Sequence, residues 1–120
     1  MELLTKLVVL LVALLHGYFL VLEMFLWDKP KGMKVFGLTP EKAAVTKVMA
    51  ANQGVYNGFL CAGLLWGLYQ GKAGIDVQVF FLFCVLIAGL YGAMTVGKKI
   101  LYVQALPAAV ALVLLYLTFM

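Results

Sequence analysis

Chemistry in this chain has to come from a few polar side chains set in or beside long apolar runs. They are His16, Glu23, Asn52, Gln53, Asn57, Thr95 and Gln104, with Lys99 at a border. Ionisable and amide groups are costly in hydrocarbon and usually face a bundle interior or a cavity. Glu23 and His16 are the candidate acid–base groups. They are seven residues apart, on one helix face and two turns from each other. Asn52 and Tyr56 share a stripe of a second helix, and Gln53 and Asn57 share the adjacent stripe. The candidate ligand-binding set is Glu23, Asn52, Gln53, Tyr56, Asn57, Lys99 and Gln104.

Other chemistries lack their residues. The chain has no Ser, and its Asp residues fall in loops, so a Ser/His/Asp arrangement is excluded. One His and two distant Cys do not make metal-ligand spacing, and no metal site is expected. Cys61 and Cys84 read as small buried hydrophobes. No cofactor is implied. Nine Lys and no Arg give a net charge of +4 with no basic run long enough for nucleic acid.

The elements that position these groups follow from composition. Of 120 residues, 66% are hydrophobic and 12% charged, and mean hydropathy is +1.09. A chain this short cannot hide so much apolar surface in a water-soluble core. It reads as an integral membrane protein with lipid as its first partner. Runs at about 3–27, 45–69, 77–96 and 100–120 are each long enough to span. The first has no small-x-small cleavage site and reads as a retained span. Short connections make neighbours antiparallel. The expectation is an all-α four-helix up-down bundle forming a single domain over 1–120.

Seven Lys (residues 29, 31, 34, 42, 47, 98 and 99) fall on one side and two (6 and 72) on the other. The positive-inside rule then puts loops one and three in the cytoplasm and both termini outside. The setting expected is a bacterial inner membrane, crossed several times. Asp28–Gly32 reads as a turn cluster. Thr39, Pro40 and Glu41 read as a helix start, with Thr39 as N-cap. The second helix should run from Pro40 to about Gln70. Val35, Phe36 and Leu38 should lie in the headgroup zone, and Trp27, Trp66 and Tyr69 in the aromatic belts.

Helical rise places Glu23, Asn52, Gln53 and Gln104 at one cytoplasm-side level, with His16 and Asn57 near the midplane. This layer either fixes helix packing or lines a cavity open to the cytoplasm. Glu23 is expected to pair with Lys99 or Lys47 and to accept from Asn52 or Gln53. The far halves of the spans read as nearly all apolar. Small residues recur every fourth position at Gly54, Gly58 and Ala62, and at Gly89, Ala93 and Gly97, as close helix contacts require. A homo-oligomer is expected, a trimer by preference.

The segments His16–Met24, Asn52–Leu60, Gly89–Ile100 and Gln104–Ala108 resemble a family of small four-span bacterial membrane proteins of unknown function. That resemblance covers essentially the whole chain and implies no activity. In architecture the chain also resembles the membrane-associated proteins of eicosanoid and glutathione metabolism, which are four-helix trimers with outward termini. That likeness implies fold and assembly. It does not extend to glutathione, because that family holds glutathione with Arg, absent here.

Three functions follow. The first is binding of a small or lipophilic ligand in the polar layer. The second is an enzyme on a glutathione-transferase-like or isomerase-like trimeric scaffold, with Glu23 or His16 as acid–base. The third is a small proton-coupled transporter with Glu23 and His16 as relay.

Overall fold

Long apolar runs punctuated by Gly and Pro form helices only. A computed structural model describes all residues, Met1–Met120. The elements are α1 (Glu2–Phe25), α2 (Pro30–Phe36), α3 (Pro40–Tyr69), a 3-10 turn (Gly71–Gly74), α4 (Ile75–Thr95), a π-turn (Leu101–Ala105) and α5 (Leu106–Phe119). The fold is all-α, as expected. Three stretches are long and apolar enough to cross a membrane: Glu2–Phe25, Gly71–Thr95 and Leu101–Phe119. The longest helix, α3, has 30 residues but is diluted by Asn52, Gln53, Asn57 and its glycines.

The outer surface suits lipid. Leu3, Leu7, Leu11 and Leu14 recur at helical spacing along one face of α1 and are all more than half exposed. Phe80, Ile87, Tyr91 and Met94 do the same on α4. Monomeric soluble proteins rarely expose contiguous apolar patches of this size.

Contacts group the chain into two compact units, residues 14–61 and residues 1–13 with 62–120. In the first unit, the chain leaves α1 through a turn closed by Lys29 N–H donating to Leu26 O at 3.0 Å. It then forms α2, where the sequence indicated only a turn cluster. Pro30 stands in the first turn of α2, where its missing N–H costs nothing. Gly37 ends that helix in the left-handed region at φ 63°, where a side chain is strained. Thr39 caps α3 as expected, its Oγ1 accepting from the Lys42 N–H at 3.2 Å.

In the second unit, Leu64, Leu82, Val85, Ala105, Ala108, Ala111 and Leu115 form a buried core. Pro107 explains the π-turn. Proline has no N–H, and its ring clashes with the carbonyl four residues back. The backbone relaxes into the wider register, and Leu106 N–H donates to Leu101 O. Beside this turn the chain is tightly packed, since a side chain at Gly89 would meet the Ala105 backbone.

Polar contacts also occur where the sequence reading expected almost none. Buried Thr5 shares a 2.8 Å hydrogen bond with Thr118. Buried Gln78 donates through Nε2 to Gly67 O at 3.1 Å. Gly67 is in the last turn of α3, whose carbonyls lack partners within the helix. Gln78 therefore acts as a side-chain cap. The pairing of Gly67 with a long polar side chain was the signal available for it.

Candidate functional site

Within residues 14–61, α1 and α3 meet through small residues. A Cβ at Gly54 would lie 2.5 Å from Met24 Cγ and 3.3 Å from Leu20 O, and one at Gly58 would lie 2.7 Å from Leu20 Cδ1. The expected contact at Gly54 and Gly58 thus forms within the chain. Ala62 is exposed and does not continue it. In the second group, Gly89 makes a close contact, while Gly97 has open space around it.

Asn57 lies on this seam, between Gly54 and Gly58 in the stripe, and is 6% exposed. Its Nδ2 donates to Glu23 Oε1. The structure therefore brings together Glu23 and Asn57. Asn52 and Gln53, the donors expected from depth, are both exposed. The Asn52 amide donates instead to Val48 O, one turn back in its own helix, at 3.2 Å. Tyr56 is also exposed and meets Phe59 edge-on at 5.9 Å between ring centres.

Depth along a helix does not fix direction around it. At about 100° per residue, Asn52 and Asn57 point about 140° apart. The glycines mark which face is inward, and Asn57 shares it.

His16 is fully buried and lies edge-on to Phe19 at 5.5 Å. Lys99 and Gln104 belong to the other unit, with Lys99 exposed and Gln104 inside the π-turn. No buried side-chain nitrogen or oxygen lacks a hydrogen-bond partner. A small recess has room for about one water, at roughly 10 Å³, and is lined by residues including Thr5, Lys72 and Gln78. None of the candidate ligand-binding residues lines it.

Lys47 does not reach Glu23 as expected. Its Nζ sits 2.9 Å from Asp28 Oδ2. Trp27, beside that pair, has a structural task beyond an aromatic belt: its Nε1 donates to Thr46 Oγ1 at 3.0 Å and its ring packs on Phe36 at 4.8 Å, tilted by 42°. The bond to Lys47, with the positive field of Lys47 and Lys29, holds the Asp28 carboxyl below its ordinary value of 3.8. A depressed carboxyl contributes stability above its unfolded value and loses it as pH falls through the folded one. Thermal unfolding in detergent should thus show a melting temperature that declines below about pH 4. Asp28→Asn should flatten that acid limb and leave α1 and α3 helical by circular dichroism. An unchanged limb would assign the acid sensitivity to other carboxylates.

An all-α chain with three helices long and apolar enough to cross a membrane has the character of a membrane protein. The chain belongs to the family described as "Protein of unknown function (DUF1304)", which matches residues 10–116. The uncharacterized protein YpaA of Lactococcus lactis subsp. lactis (strain IL1403) is 32% identical over 115 residues, covering 94% of this chain and 97% of that protein. No solved structure matches the chain. The resemblance to a bacterial family of unknown function holds.

Proposed function

We propose that the protein is a four-span inner-membrane protein that binds a small or lipophilic ligand at the cytoplasmic end of α1 and α3. The observation that carries this reading is the Asn57–Glu23 hydrogen bond, flanked by exposed Asn52, Gln53 and Tyr56. A carboxylate and a cluster of amides in lipid-facing surroundings are expensive unless they have work to do. Asn57 orients the Glu23 carboxyl, and the outward amides offer donors and acceptors to the polar head of a ligand.

Here α3 is the fourth span. Its 30 residues extend about 45 Å, beyond the ~30 Å hydrocarbon core. Val45, Val48, Met49 and Phe59 give its outer face to lipid. The lysine distribution puts both termini outside, and reporter fusions at Met120 active only in the cytoplasm would overturn that. Copies assemble, by preference as trimers, through surfaces other than the Gly54–Gly58 seam, which α1 already fills.

Native mass spectrometry of protein released from its own membranes tests the ligand. We expect a discrete bound mass that the paired substitutions Asn52→Leu and Gln53→Leu remove without lowering the melting temperature. A wild-type protein free of any bound mass would count against the reading.

A further inference from the structure

We propose that the α2 segment is a binding surface for anionic phospholipid headgroups, held in place by a Trp27-centred clasp. The inference rests on the reading that α1 and α3 cross the bilayer. It concerns a surface separate from the Glu23–Asn57 contact.

Between the end of α1 and the start of α3, Lys29, Lys31 and Lys34 are all exposed. The one acid in that stretch, Asp28, is engaged by Lys47 at 2.9 Å. None of these three lysines makes an ion pair; Lys29 lends part of its field to Asp28, and the charges of Lys31 and Lys34 are left for an outside partner. Their support is closely packed. The Trp27 ring packs on Phe36 of α2 at 4.8 Å and ties to Thr46 of α3 at 3.0 Å. Gly32 is buried against the Leu26–Trp27 backbone so closely that any side chain there would collide with Leu26 O. Met33, Val35 and Leu38 are half-buried. A short helix is thus pinned at the ends of two apolar helices, with lysines outward. That is the level of the headgroups, where lysines draw anionic lipids from the bilayer.

The chain carries its own reporters, Trp27 in the clasp and Trp66 near the opposite end of α3. The protein is reconstituted in phosphatidylcholine vesicles containing either brominated phosphatidylglycerol or brominated phosphatidylcholine. Quenching gives the relative affinity of the two lipids at each tryptophan. With Trp66→Phe, so that Trp27 reports alone, phosphatidylglycerol should be favoured about fivefold or more, the scale of one lysine's attraction at a membrane surface. The preference should shrink at 1 M salt through screening. The combined substitutions Lys29→Gln, Lys31→Gln and Lys34→Gln should bring it to about one, with helicity by circular dichroism unchanged. No preference in the wild-type lysine background, or one that survives the triple substitution, overturns the proposal. With Trp27→Phe, Trp66 should be quenched equally by both lipids. Failure of any brominated lipid to quench Trp66 would overturn the spanning reading of α3 instead.

Discussion

Gly89→Val should be the most damaging single substitution in the α4–α5 region. A Cβ at Gly89 would lie 2.6 Å from Ala105 N and 2.9 Å from both Ala105 Cα and Cβ. The first two are backbone atoms, and no rotamer change moves them aside. The π-turn that precedes Pro107 brings that backbone to α4, and proline limits how it can retreat. Overpacking a well-filled core typically costs 1–3 kcal/mol. Here the neighbour is backbone, so we expect about 3 kcal/mol or failure to fold. Gly97→Ala is the matched control, since Gly97 has nothing within 4 Å of an added Cβ and does not need positive φ. Thermal melts in detergent should separate the two clearly. A Gly89→Val protein that melts with the wild type would show that α4 and the π-turn do not pack closely at this point.

Much of the fold was legible in the residues. Apolar runs located the helices, and Thr39-Pro40-Glu41 placed the start of α3 because cap chemistry is local. The small-residue periodicity of Gly54 and Gly58 marked a true contact, because only small side chains allow backbones that close. Other features depended on tertiary choices. Lys-Pro-Lys-Gly is turn chemistry by composition, yet packing of Phe36 on Trp27 and of Gly32 on Leu26 accompanies a helix there. The π-turn is a compromise between Pro107 and helix continuation that spacing does not reveal. Gln78 was passed over because it opens a span, although a glutamine there can reach the unpaired carbonyls closing the preceding helix.

The candidate site was half legible. Glu23 was identifiable from depth and charge alone, and its neighbourhood in α3 from the cluster of amides. The partner was not, because depth put Asn52 and Gln53 level with Glu23 and Asn57 nearer the midplane, so the amide that makes the bond was the one depth ranked last. Lys47 was assigned to Glu23 on level. Asp28 lies closer to the helix ends, where a lysine head stays hydrated. The strongest available indicator was the company Asn57 keeps: it stands three residues from Gly54, the spacing that shares a helix face, and Gly54 packs on α1.

Glu23→Gln should leave the folded protein nearly as stable as the wild type and abolish retention of the bound ligand mass. The glutamine side chain keeps the length of glutamate and a carbonyl oxygen that still accepts from Asn57 Nδ2. The α1–α3 seam, set by Gly54 and Gly58 against Leu20 and Met24, is untouched. A stability change below about 0.5 kcal/mol is expected, as for substitutions that preserve their contacts. Asn57→Leu is the contrasting variant. It removes the donor and leaves the Glu23 oxygen unpaired in apolar surroundings, which costs about 1–3 kcal/mol. Its branched side chain also crowds the seam. The two variants therefore separate packing from recognition. Loss of the ligand mass in Glu23→Gln at an unchanged melting temperature means that the carboxylate itself contacts the ligand. Retention of that mass, with only Asn57→Leu destabilised, would make the pair a packing device and remove Glu23 from the binding site.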